Sequence, residues 1–174
     1  VSSGDYDDDL TADQISTDNI TLSGAAEATL TNDAAINFQD IGTELTVTDF
    51  VIDNGDNNVI VSDGGQASDA PDESVTVENL TFTESNSQLD IQSVHEDDSG
   101  NPADITVSDI TFNDLTGAGA AVIVDEENDV AGDVSVTNVD VQETSANADA
   151  VEIGDPDGVS RLTVSDLVVS NVSI

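Results

Sequence analysis

The residues in this chain that are able to do chemistry are almost all of one kind. Among 174 residues, 38 are Asp or Glu, set against one Arg, one His, and no Lys or Cys. Carboxylates serve as acid and base pairs or as hard-oxygen ligands for cations, and each role needs its own spacing. Calcium takes about six to eight oxygens, which acidic turns and their backbone carbonyls supply. The candidate ligands are Asp53, Asp56 and Asn58 in one turn, Asp125 and Asp129 in a second, and Asp155 and Asp157 in a third. Asp7-Asp8-Asp9 and Asp97-Asp98 are further acidic runs. None of these has the spacing of an EF-hand or of the glycine-rich nonapeptide of calcium β-rolls. Loosely held Na⁺ or K⁺ is therefore the expectation, with calcium at those seven residues as the alternative.

The other reactive groups are few. His95 lies in the acidic run Ser93-Val-His-Glu-Asp-Asp98 and reads as a solvated loop residue. No Ser has a His partner at a suggestive spacing, and without Cys there is no thiolate nucleophile, thiolate metal site or disulfide framework. Arg161 reads as a rim residue pairing with a neighbouring Asp. No catalytic residue is expected, and the chain is not expected to be an enzyme. Sequons at Asn19-Ile-Thr21, Asn79-Leu-Thr81 and Asn171-Val-Ser173 make Asn19, Asn79 and Asn171 candidate glycosylation sites.

The elements that carry these residues follow from a repeat of about 30 residues. Six copies begin at Gln14, Glu44, Ser74, Asp104, Asp133 and Arg161, separated by 30, 30, 30, 29 and 28 residues. Each copy alternates apolar and polar residues, breaks at an Asn or Asp, and alternates again, which describes two short strands joined by a tight bend. The inward positions form four apolar columns. Two precede the bend, Ile15, Leu45, Val75, Ile105, Val134, Leu162 and Thr17, Val47, Val77, Val107, Val136, Val164. Two follow it, Ile20, Phe50, Leu80, Ile110, Val139, Leu167 and Leu22, Ile52, Phe82, Phe112, Val141, Val169.

The expected bend residues are Asn19, Asp49, Asn79, Asp109, Asn138 and Asp166. Asn and Asp best tolerate the left-handed backbone that a sharp bend requires. Their alternation also keeps carboxylates apart on strands stacked about 4.8 Å from one another. Outward positions such as Thr46, Thr76, Thr106, Ser135 and Thr163 form a Thr and Ser ladder. A third strand is expected at Val59–Val61, Leu89–Ile91, Val122–Val124 and Val151–Ile153, with Ile36–Phe38 preferred over Ala28–Leu30 in the first copy. The stretch after the third strand is long and acidic, Ser62 to Glu73 above all, and carries Pro71, Pro102 and Pro156.

Charge restricts where such a chain can work. At a formal net charge of −37, binding to nucleic acid or insertion into an anionic membrane is excluded, and no apolar run is long enough to span a bilayer. Compaction needs screening, and at molar salt the Debye length shrinks to about 3 Å. The composition resembles that of proteins from extreme halophiles. The start at Val1 suggests a processed or trimmed terminus, and with the sequons it points to an extracellular or cell-surface location.

The recurring pattern, as in Ile105-Thr-Val-Ser-Asp-Ile-Thr-Phe-Asn-Asp114, resembles the coil signature of pectin-lyase-like right-handed parallel β-helices over roughly residues 14–174. The resemblance implies an all-β solenoid of about six coils with three short strands each, preceded by an acidic arm at residues 1–13. It implies little about function, because that superfamily includes lyases, hydrolases, adhesins, viral tail spikes and surface-layer parts. Its lyases use a basic residue, and its hydrolases use clustered Asp with a His and a basic clamp; neither arrangement is present. The last copy still reads as strand at its end, so more protein or a second copy is expected to cover it. The expectation is a non-enzymatic subunit of a filament, sheath or surface layer that self-associates end to end. The alternative is the shaft of an adhesin or viral spike that binds surface glycans, and a polysaccharide lyase or hydrolase is a third reading.

Overall fold

A computed structural model describes residues 2–6, 10–15, 20–25, 28–31, 36–41, 44–55, 59–62, 74–85, 89–92, 104–115, 119–125, 133–143, 148–153 and 166–173. Among them are fourteen strands and no helix. They are β1 Gly4–Tyr6, β2 Leu10–Ile15, β3 Ile20–Ser23, β4 Ala28–Leu30, β5 Ile36–Ile41, β6 Leu45–Gly55 and β7 Val59–Ser62. The rest are β8 Ser74–Ser85, β9 Leu89–Gln92, β10 Asp104–Leu115, β11 Gly119–Asp125, β12 Asp133–Glu143, β13 Ala148–Ile153 and β14 Asp166–Ser173. Val, Ile, Thr and Phe dominate these segments, and branched and aromatic side chains pack well on a pleated surface.

The strands form two sheets, and every pairing is parallel. The larger sheet has the order β1-β4-β6-β8-β10-β12-β14, with β3 also paired to β6; the smaller has the order β13-β11-β9-β7-β5-β2. From β5 onward successive strands alternate between the two sheets, so each repeat gives one long strand to the larger sheet and one short strand to the smaller.

Within a long strand the burial pattern changes phase once. Leu45 and Val47 are buried, Asp49 is exposed, and Phe50 and Ile52 are buried, so the inward residues pass from odd to even positions. A plain strand keeps a period of two. The phase change sits at the residue with positive φ: Asp49 (67°), Asn79 (54°), Asp109 (56°) and Asn138 (54°). Pairing skips that residue, as in Thr48↔Glu78 followed by Phe50↔Leu80, and then resumes. The two halves of each repeat, expected as separate strands, thus form one bent strand that stays in a single sheet.

The apolar columns stand as expected in the four middle repeats. Leu45, Val75, Ile105 and Val134 lie side by side, as do the three columns beginning at Val47, Phe50 and Ile52, and all are buried. Phe82 and Phe112 stack with centroids 4.4 Å apart and planes within 9°. Such a pair is worth about 0.5–1.5 kcal/mol beyond the area it buries. The expected third strands all belong to the smaller sheet: Ile36, Val59, Leu89, Val122 and Val151 are in one register, Phe38, Val61, Ile91, Val124 and Ile153 in another. Ile36, Leu89, Ile91, Val122 and Val124 are buried together with the inward residues of the larger sheet, so both sheets share one core.

The first and last repeats depart from the expected frame. Ile20 and Leu22 stand opposite Leu45 and Val47, and Leu30 opposite Ile52, so Ser23 to Ala28 spans the first bend. Ile15, expected in the first column of that repeat, lies in β2 opposite Ile41 of the smaller sheet. At the other end Asp166, expected at a bend, opens β14 opposite Asp133, and Leu167 and Val169 pair with Val134 and Val136. Asn171 takes the bend register there, between Ser170↔Thr137 and Val172↔Val139. Residues 1–13, expected as an arm outside the repeats, supply β1, which pairs with β4, and most of β2, which pairs with β5. Asn19, Thr17, Leu162, Thr163 and Val164 lie outside the described residues.

Candidate functional site

The side chains with the most ordered polar chemistry are those of the bend column. A left-handed bend pushes its side chain out of the sheet, and parallel register places each one beside the bend residue of the next repeat. Asn79 Nδ2 donates to Asp49 Oδ1, and Asn138 Nδ2 donates to Asp109 Oδ1 at 2.9 Å. Asp49 also accepts from Ser23 Oγ at 3.3 Å through its second oxygen. Each carboxylate is thus bonded to a neutral donor on an adjacent strand, and no two carboxylates are neighbours from Asp49 to Asn138.

Gly24 lies at the first bend. Its N–H donates to Thr48 O at 2.9 Å, and a Cβ there would meet the Asp49 carbonyl oxygen at 2.1 Å. Ala28 N–H donates to Ala25 O at 2.8 Å, which closes the turn into β4. Sequence reasoning placed this bend at Asn19; the signal that identifies it instead is Gly24 followed, four residues on, by the alternating Ala28-Thr-Leu30.

Two other outward positions carry carboxylates. Thr83 Oγ1 donates to Asp53 Oδ1, so this expected calcium ligand is engaged with the next strand. Asp104 and Asp133 are exposed neighbours at the start of β10 and β12, and Asp133 N–H donates to Asp104 Oδ1 at 2.8 Å. Among the described residues no group of three or more His, Asp or Glu is placed to hold a metal ion. Asp125 ends β11 in register with Gln92, away from Asp53 on the larger sheet. Asp56, Asn58, Asp129, Asp155 and Asp157 lie outside the described residues, as do His95 and Arg161.

In comparisons with known proteins, no family model, curated protein or solved structure matches the chain. Its own geometry therefore carries the functional argument.

Of the three sequons, Asn79 is exposed, and its amide nitrogen is already engaged with Asp49. Asn171 lies in β14 and Asn19 is outside the described residues. The outward rows of the larger sheet are rich in hydroxyls: Thr46, Thr76, Thr106 and Ser135 form one row, and Thr48, Glu78, Ser108 and Thr137 the next, all half-buried. No described helix is long and apolar enough to cross a membrane.

The stretches between strands divide into two classes by sequence. Those from the larger sheet to the smaller, residues 56–58, 86–88, 116–118 and 144–147, contain one acidic residue, Asp56. Those leading back, residues 63–73, 93–103, 126–132 and 154–165, contain twelve. The last is the longest once β14 is in register, whereas a shortening toward the C-terminus was expected. Much of the acid thus lies away from the packed strands, as a chain that folds in concentrated salt requires.

Proposed function

We propose that the chain winds as a right-handed parallel β-helix and serves as a non-enzymatic structural subunit of an extracellular filament, sheath or surface layer, stacking end to end. The observation that carries this reading is the side-by-side register of equivalent repeat positions in two all-parallel sheets that the chain visits in alternation. Parallel strands in one sheet need a crossover, and such crossovers are right-handed in about 98% of cases. A chain that advances one strand per visit to each sheet is a solenoid, whose ends expose strand edges and an open core.

The ends have that character. Leu22 in β3 and Val151 and Ile153 in β13 continue buried columns yet are only half-buried. Sodium or potassium at high concentration is the stabilising cofactor in this reading, because it screens a net charge of −37. The sequons and the absence of Cys suit a secreted, glycosylated scaffold that depends on no disulfide.

Far-ultraviolet circular dichroism and light scattering in concentrated salt test the proposal together. The expected result is a β spectrum and a mass above the 17.9 kDa of one chain, rising with protein concentration. A coil or helical spectrum contradicts the fold, and a strictly monomeric particle contradicts end-to-end assembly.

A further inference from the structure

Natural sheets guard their edges with charge, Pro or covering segments, because an open strand edge invites another strand. In the larger sheet the distribution of charge is the reverse. The inner strands carry outward acids: Asp49 and Asp53 in β6, Glu78 in β8, Asp104 and Asp109 in β10, Asp133 and Asp140 in β12. At one edge β14 reads Asp166-Leu-Val-Val-Ser-Asn-Val-Ser173, with one charge in eight positions, and it pairs only with β12 among the described residues. At the other, β3 reads Ile20-Thr-Leu-Ser23, with no charge, and it pairs only with β6. For a chain that is 22% charged, these two uncharged flanks need an explanation.

The flank of β3 is open. Thr21 is exposed, whereas its row-mates Thr46, Thr76 and Thr106 are half-buried, and Leu22 is half-buried, whereas Val47, Val77 and Val107 are fully buried. The register of β14 matches what β3 lacks. Leu167 and Val169 occupy the same two columns as Ile20 and Leu22, since they pair with Val134 and Val136 while Ile20 and Leu22 pair with Leu45 and Val47. Val168 and Ser170 occupy the rows of Thr21 and Ser23. The bend column has the same property: it carries Asp49 and Asp109 inside, but its edge positions are Ser23-Gly24 and Asn171. A junction between the two edges therefore places no carboxylate against another about 4.8 Å away.

We propose that the assembly contact is a parallel pairing of β14 of one copy with β3 of a second copy of this chain, with Val168 beside Thr21. This deepens the end-to-end reading above and rests on it. The contact is heterologous, because the two surfaces differ, so it propagates as an open filament and does not close as a dimer.

The chain has no Cys, so engineered pairs report the contact cleanly. Adjacent parallel strands bring Cα atoms within the 4.4–6.8 Å window of a disulfide. Val168→Cys and Thr21→Cys are prepared as separate full-length variants, assembled in concentrated salt alone and as a mixture, and oxidised. The expected result is a covalent dimer in the mixture and single chains from either variant alone. Self-linking of Val168→Cys overturns the proposal in favour of a symmetric contact between two β14 edges. Assembly by light scattering with no cross-link in the mixture overturns it in favour of another surface. If the unsubstituted chain does not assemble at all, the end-to-end reading fails, and this contact fails with it.

Discussion

Between Val77 and Leu80 the chain changes the phase of its inward residues with one left-handed residue, Asn79, whose amide is bonded to Asp49. Between Leu22 and Ala28 it makes the same change with a longer turn, where Gly24 lies against the Asp49 backbone and Ala28 N–H closes on Ala25 O. The flanking residues reach the same columns in both cases: Leu22 beside Val47, Leu30 beside Ile52. The apolar columns are thus the invariant part of the repeat, and the bend is a replaceable part with at least two chemistries.

The comparison breaks most readily at the columns. Phe82→Ala removes a fully buried ring stacked on Phe112, and truncations of this kind cost about 3–5 kcal/mol. Urea unfolding at fixed high salt is expected to show that loss as a lower midpoint with an unchanged slope. A loss below about 1 kcal/mol would mean that the column is not packed as described.

The next largest effect separates the two bends. Gly24→Ala forces a methyl against the Asp49 carbonyl oxygen, 2.1 Å from the ideal Cβ position, and overpacking of this kind costs about 1–3 kcal/mol. The damage should be local to β3 and β6. Hydrogen exchange is expected to accelerate at Thr46 and Thr48 and to stay unchanged at Thr106.

At the one-residue bend the cost comes from the backbone and has a different rescue. Asn79→Ala keeps the left-handed conformation at about 1–2 kcal/mol and loses the bond to Asp49, worth about 0.5–1.5 kcal/mol. Asn79→Gly loses only the bond, because glycine adopts positive φ without strain. The expected order of stability is therefore Asn79, then Gly, then Ala; an Ala variant equal to the Gly variant would show that the positive φ carries no cost. Smallest of all is Thr106→Val on the half-buried outward row, expected to change the unfolding midpoint by no more than about 0.5 kcal/mol.

This division explains what could be read in the sequence. The four middle repeats use the one-residue bend, so alternation, an Asn or Asp, and alternation again marked their columns and the strands of the smaller sheet. The first repeat replaces that bend with Ser23-Gly-Ala-Ala-Glu-Ala28, and a search for Asn or Asp moved the frame five residues early, to Asn19. The last repeat contains two overlapping frames, Arg161-Leu-Thr-Val-Ser-Asp166 and Asp166-Leu-Val-Val-Ser-Asn171, and regular spacing favoured the first. Pairing chose the second, which places Leu167 and Val169 in the columns of Val134 and Val136. The candidate site was less legible. Where more than a fifth of the chain is charged, a run of carboxylates has no contrast against its background, and Asp53 reads as a ligand although Thr83 engages it. The Asp and Asn alternation was visible, because donor and acceptor differ in residue type.

The account depends on parallel strands lying in register, each repeat beside the next. Cysteines at Thr76 and Thr106, which are direct partners, are expected to form an intrachain disulfide in near-quantitative yield on oxidation in concentrated salt. Cysteines at Thr46 and Thr106 stand two strands apart, about 9.6 Å, beyond the reach of a disulfide, and are expected to stay reduced. Efficient closure of the Thr46 and Thr106 pair, with none between Thr76 and Thr106, would contradict the stacking of repeats on which everything else rests.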